Sequence, residues 1–176
     1  MDIFLIFLLT LLNGVFAMSE MALASCRKPR LAVLVAEGDK GARAALRLLS
    51  QPTQFLSTVQ IGITSIGVLN GIVGEAAFSL NLSRWLVAQG VADRFADGLA
   101  TACVVTLITL STILFGELVP KRIGQLYPEV VARLTAPLML ALATMARPVV
   151  SFLSSSTSLI LKWLKIDTRS LRTVTE

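Results

Sequence analysis

The sequence predicts an all-α integral membrane fold of three transmembrane helices accompanied by juxtamembrane and interfacial helices. Three observations carry that prediction. Of the 176 residues, 55% are hydrophobic and only 15% charged, against roughly 45–50% and roughly 25% in soluble domains. Three apolar runs are each long enough to cross a bilayer core, which takes about 20 residues. Lysine and arginine collect in alternate connections, as they do in short cytoplasmic loops.

The first span covers residues 3–24, with Glu20 as its single charge. A cleavable leader is the competing reading. It is disfavoured because Asp2 stands where a leader carries Lys or Arg, and because the run exceeds a leader's apolar core. The basic connection that follows has helical composition over residues 30–37 and 42–50, broken by the Gly38-Asp39-Lys40-Gly41 turn signal. Residues 28–50 therefore read as interfacial helices with arginines on one side and leucines and alanines on the other. The second span covers residues 55–82 and contains Glu75, and the third covers 98–119 with Glu117 near its end. Interfacial helices are expected again over 124–164, where Pro137, Arg147 and Pro148 divide the apolar stretch 134–164 into two short pieces. Proline bends or stops a helix, and a mid-span arginine costs roughly 2.5–3.5 kcal/mol on insertion scales.

Charge sets the orientation. Arg27, Lys28, Arg30, Lys40, Arg43 and Arg47 follow the first span, and Lys121, Arg122, Arg133 and Arg147 follow the third. Between the second and third, Arg84 and Arg94 are balanced by Asp93 and Asp97. The N-terminus is thus expected outside and the C-terminus in the cytoplasm. A crossing by 134–164 would put Lys162, Lys165, Arg169 and Arg172 outside, against the rule. The net charge of +5 is then a cytoplasmic-face charge, and without a basic stripe interleaved with aromatics it does not indicate nucleic acid. The absence of histidine, and the wide separation of Cys26 and Cys103, argue against zinc, haem and triad chemistry, and so against an enzyme.

The few polar residues inside the spans are the candidate functional residues. Asn13, Ala17 and Glu20 share one helix face. In the second span Gln60, Thr64, Gly67, Gly71 and Gly74 form a stripe with Ser65 and Asn70 beside it, a pattern of small residues that permits close helix approach. In the third span Pro120 stands four residues after Gly116 and removes the amide that would bond the Gly116 carbonyl. A helix end is expected there, presenting Glu117 and free backbone oxygens in the manner of cation-binding broken helices. A Glu117–Lys121 salt bridge one turn on is the equal alternative. The available ligands are all oxygen: Asn13, Ser19, Glu20, Thr64, Ser65, Asn70, Glu117 and carbonyls such as that of Gly116. Such a set suits Mg2+, Ca2+ or Na+.

Three motifs, taken in this order, resemble a known family. Leu12-Asn13-Gly14-Val15-Phe16-Ala17-Met18-Ser19-Glu20-Met21-Ala22-Leu23, Gln60-Ile61-Gly62-Ile63-Thr64 and Phe115-Gly116-Glu117-Leu118-Val119-Pro120-Lys121 are similar to the transmembrane domain of the CorC/CNNM (cyclin M) magnesium transporters, in haemolysin-like bacterial form. The likeness covers about residues 1–165. It implies a homodimer in the bacterial inner membrane that exports Mg2+ from the cytoplasm, with Na+ as a candidate counter-ion. It also implies a dehydrated Mg2+ held among the spans by hydroxyls, carbonyls and a glutamate. By this resemblance the glutamate is Glu117, preceded by Gly116 and followed by Pro120 and Lys121; the first-span polar position is Asn13 and the second-span hydroxyls are Thr64 and Ser65. Glu20 matches the bacterial motif, and Asn70 joins on its chemistry. Family members continue into cytoplasmic CBS domains that bind nucleotide, so residues 166–176 are expected to be the tail leading to them. The competing function is a dimeric membrane scaffold or magnesium sensor that regulates other transporters without carrying ions.

Overall fold

The computed structural model describes residues 2–163, which are helical almost throughout. α1 (Asp2–Ser25) is followed by the short pair α2 (Lys28–Ala36) and α3 (Lys40–Ser50) and by the long α4 (Pro52–Ala88). α5 (Asp93–Ile113) passes through one π turn, Leu114–Leu118, into α6 (Val119–Leu126), and the described chain ends with α7 (Pro128–Met145) and α8 (Arg147–Trp163). Expectations for the tail 166–176, and for Lys165, Arg169 and Arg172, lie outside the described residues.

Local sequence explains the breaks. Gly38 takes φ 91° between α2 and α3, a left-handed conformation that glycine adopts without a Cβ clash. Asp39 then caps α3 by accepting from the Ala42 amide at 2.7 Å, which satisfies one of the helix's free donors. Prolines open α2, α4 and α7 within the first turn, where a missing amide costs nothing.

The helices pack in a bundle whose apolar core sits at the α2–α3 end. There Phe16, Ala22 and Leu23 of α1 meet Ala42, Ala45 and Leu48 of α3, Phe55 and Val59 of α4, and Ala132, Ala136 and Met139 of α7. The opposite end of α1 and the flanks of α4 and α5 expose Ile3, Phe4, Phe7, Ile72, Leu107 and Leu110, as suits surfaces solvated by lipid. The first three spans run longer than expected. α4 has 37 residues, about 55 Å of helix, so it projects well beyond a hydrocarbon core of about 30 Å. The third stretch continues without a break from Asp93 to Leu126. By length and composition a fourth helix, α7, also qualifies as a candidate span, with mean hydropathy 1.2 against 1.5–2.1 for the others.

Two local expectations are corrected. Pro137 does not divide the 134–164 stretch: it lies inside an unbroken α7, and the break comes at Ala146, before Arg147-Pro148. The ring costs the Arg133 carbonyl its helical donor, and Gly41 of α3 packs directly against that carbonyl. The Arg133 guanidinium pairs with the Asp39 carboxylate, so α3 and α7 are clamped at backbone and side chain together. The second correction concerns Gly67 and Gly71, which face open space, with nothing within 4 Å of where a Cβ would stand. The close helix crossings of this chain are made elsewhere.

A methyl group at Gly41 would collide with the Arg133 backbone, so Gly41→Ala should destabilise the protein by about 1–3 kcal/mol, whereas Gly67→Ala, which meets no atom of its own protomer and improves helix propensity, should not destabilise the protomer; thermal unfolding in detergent compares the two. The Ala42 amide, and then Arg133, hold the Asp39 carboxyl below its ordinary value. Its contribution is therefore complete above that ordinary value and is lost as pH falls through the lowered one. Asp39→Asn should accordingly flatten the acid limb of the stability profile below about pH 4, and a limb of unchanged steepness would contradict this.

Candidate functional site

The site is built where α1 crosses the third apolar stretch. Pro120 cannot donate to the Gly116 carbonyl. The backbone answers with the π turn, in which the Val119 amide reaches back to the Leu114 carbonyl. The Gly116 carbonyl accepts instead from the buried Asn13 side chain, Nδ2 to O at 3.0 Å. The expected helix end is thus not formed: the helix carries on through the π turn into α6, and its freed carbonyl is held by the neighbouring helix. π turns of this kind recur at functional sites.

Small residues allow this approach. A Cβ on Gly116 would meet the Thr10 carbonyl and Asn13 Nδ2, both at 3.2 Å, and one on Gly14 would meet the Pro120 ring at 3.0 Å. One on Gly124 would meet the Met18 carbonyl at 2.5 Å. Positions 116, 120 and 124, spaced at four, therefore lie along α1, and this seam makes the close crossing that the sequence pattern suggested for Gly67 and Gly71. The Gly116/Gly124 spacing around Pro120 was the available signal.

Charge lies beside the seam. Lys121 Nζ is 2.7 Å from Glu117 Oε1 and 3.6 Å from Glu20 Oε2, so one ammonium stands between carboxylates from two helices. The salt-bridge alternative is formed, and Glu20 is part of it. Glu20 also borders an open groove of about 610 Å3 between α1, α4 and α8, with Ser57, Gln60, Ser154 and Thr157 on its walls.

A second polar cluster adjoins the first. Asn70, wholly buried in α4, donates to Thr10 Oγ1 of α1 at 2.9 Å and to Thr112 Oγ1 of α5 at 2.7 Å. Thr10 touches Gly116, so the Asn13 and Asn70 clusters are neighbours. Sequence reasoning did not select Thr10 or Thr112 as site residues; each lies one turn before a selected one, Asn13 and Gly116. Thr64 and Ser65 are exposed, about 120–140° round α4 from Asn70 by helical periodicity, and do not join either cluster in this structure.

Four buried polar atoms have no hydrogen-bond partner: Asn13 Oδ1, Ser19 Oγ, Glu20 Oε2 and Asn70 Oδ1. Each such group costs about 1–3 kcal/mol, and in lipid no water relieves it. All four belong to the selected oxygen set, and three of the four atoms are pure acceptors. Among the described residues no group of three or more His, Cys, Asp or Glu side chains stands together as a metal cluster. What the seam offers a cation is two carboxylates with amide, hydroxyl and carbonyl oxygens.

Comparison with known proteins agrees with this architecture. The family model described as the cyclin M transmembrane N-terminal domain matches residues 3–176. A UPF0053 protein of Synechocystis sp. is 40% identical over the whole chain, which covers 39% of that relative. A protein of Salmonella typhimurium named polyamine export protein is 36% identical over 94% of this chain and 37% of its own length, and one of that name in Escherichia coli K12 is 34% identical over the same shares. The chain thus spans about two fifths of the length of these relatives. With its third span, π turn and Asn13 seam in the matched region, the chain belongs to the cyclin M (CNNM) family, in the part that forms the transmembrane N-terminal domain.

Proposed function

We propose that this chain is the membrane part of a cation exporter that binds its cargo on the seam between α1 and the π turn. The observation that carries the reading is Asn13: its amide nitrogen holds the Gly116 carbonyl while its own oxygen, buried and unpaired, stands in the same seam as Glu117. Unpaired acceptors beside a carboxylate inside a membrane bundle stabilise positive charge. Mg2+ is the cargo that this oxygen-only set suits, with Asn13, Ser19, Glu20, Asn70, Gly116 and Glu117 as donors and Thr64 and Ser65 brought in by movement of α4. Na+ is the candidate counter-ion.

A second cargo is favoured by one observation. The two carboxylates hold an ammonium group, that of Lys121, and the relatives in Salmonella and Escherichia carry the name polyamine export protein. An organic polyamine is therefore the second reading, and a magnesium-sensing scaffold that carries no ions is the third. In this proposal the protein works as a homodimer in the bacterial inner membrane, N-terminus outside and C-terminus in the cytoplasm, with CBS domains following in the full-length protein. The open Gly67/Gly71 face of α4 is where the second protomer would sit.

Reconstituted proteoliposomes distinguish these readings. Mg2+ efflux should fall roughly 10–100-fold in Glu117→Gln and Asn13→Ala; wild-type efflux retained in both would remove this site. Putrescine or spermidine flux without Mg2+ flux would select the second reading, and Mg2+ binding without any flux the third. For the dimer, Gly67→Cys should cross-link between protomers under mild oxidation in a Cys26→Ser/Cys103→Ala background, while Ala45→Cys, buried inside the protomer, should not.

A further inference from the structure

We infer that Lys121 is a built-in competitor for the transported cation: its ammonium fills the carboxylate seat of the empty carrier and must leave before cargo can bind. This role rests on the cation-export reading above and adds to it a residue that the ligand set does not include.

An ordinary i,i+4 pair would need Glu117 alone. Here the same Nζ also faces Glu20 of α1, at 3.6 Å against 2.7 Å to Glu117, so the lysine bridges two helices at the seam where the unpaired acceptors gather. It fills the seat incompletely. An ammonium has three donors, yet only the bond to Glu117 is at hydrogen-bond distance, Glu20 Oε2 standing at ion-pair distance without a hydrogen bond; elsewhere on α1, Ser19 Oγ and Asn13 Oδ1 are buried without a hydrogen-bond partner. Ser19 is wholly enclosed and Asn13 is 2% exposed. A salt bridge fully closed on both carboxylates would not leave Glu20 without a hydrogen bond; a temporary occupant would.

Charge makes the exchange necessary. Glu20 and Glu117 with Lys121 carry a net single negative charge. A divalent cation added beside the lysine would turn the cluster positive within a low-dielectric bundle, whereas a divalent cation replacing it leaves the cluster neutral. The side chain is able to leave. Lysine has a flexible four-carbon stem, that of Lys121 is 28% exposed, and α6 ends five residues later at Leu126, within reach of the interface for a long side chain. After cargo departs, return of the ammonium re-pairs the carboxylates, so the empty carrier resets with its charges covered.

The test is Mg2+ titration calorimetry on the 176-residue chain in lipid nanodiscs. A seat held by Lys121 nine-tenths of the time weakens apparent affinity about tenfold. Lys121→Gln should therefore bind Mg2+ about tenfold more tightly than wild type, and Lys121→Arg, which keeps the charge, should stay close to wild type. Removing the lysine leaves two carboxylates unpaired and threatens folding, so the same comparison is made between Glu20→Gln/Lys121→Gln and Glu20→Gln. There too the lysine-free protein should bind more tightly, by several-fold. Wild-type binding with equal or weaker binding in the lysine-free member of either pair overturns the competitor role and leaves the export reading standing. Absence of Mg2+ binding in wild type and all variants overturns the competitor role together with the choice of Mg2+ as cargo.

Discussion

The hydrogen bond from Asn13 to the Gly116 carbonyl is the contact on which the rest of this architecture depends. In lipid a backbone carbonyl without a donor has no water to turn to, and Pro120 guarantees that Gly116 has one donor too few. Two adjustments absorb the deficit: the helix widens into a π turn, and α1 lends an amide at 3.0 Å. Once α1 is tied at that point, Gly14 against Pro120 and Gly124 against Met18 complete a crossing close enough that added methyl groups would strike backbone or ring. Glu20 and Lys121 then come into range of one another as a consequence of that crossing.

The bundle divides its surfaces by the same logic. Outward positions on α1, α4 and α5 are large and apolar, and inward positions at crossings are glycine, alanine, serine, threonine and asparagine. Polar side chains inside are spent on interhelical bonds: Asn70 joins three helices through Thr10 and Thr112, and Ser79 meets Thr101 at 2.7 Å further along α4 and α5. Among the described residues four buried polar atoms lack hydrogen-bond partners, three of them on α1 and the fourth on Asn70 in the adjoining cluster. These unpaired acceptors are the feature on which the proposed cation site rests.

Much of the fold could be read directly from the residues. Long helices over the three apolar runs, the turn at Gly38 and the break at Arg147-Pro148 follow from apolar run length and from backbone chemistry at glycine and proline, and all appear in the structure. Pro137 misled because a proline can be accommodated inside a packed helix: α7 continues through it, and Gly41 lies against the carbonyl that its ring leaves without a helical donor. Within one protomer Gly67 and Gly71 meet no partner, for a related reason. Spacing shows that a close approach is possible, and only a neighbour decides whether it occurs. Of the site residues, Asn13, Gly116, Glu117, Pro120 and Lys121 converge because one defect, the missing proline amide, demands a partner. Thr64 and Ser65, selected through the family resemblance, stand away from the cluster.

By itself the sequence determined that this protein lives in a membrane, where most of its helices lie, that its candidate cation ligands are all oxygen, and which family it resembles. Those properties are set by composition and by local backbone chemistry, which need no neighbours. Tertiary structure alone decided which helix rescues the Gly116 carbonyl, that Lys121 is shared between Glu117 and Glu20, and which glycines carry the crossings. Each of these depends on distances between segments far apart in the chain, and local periodicity contains no information about them.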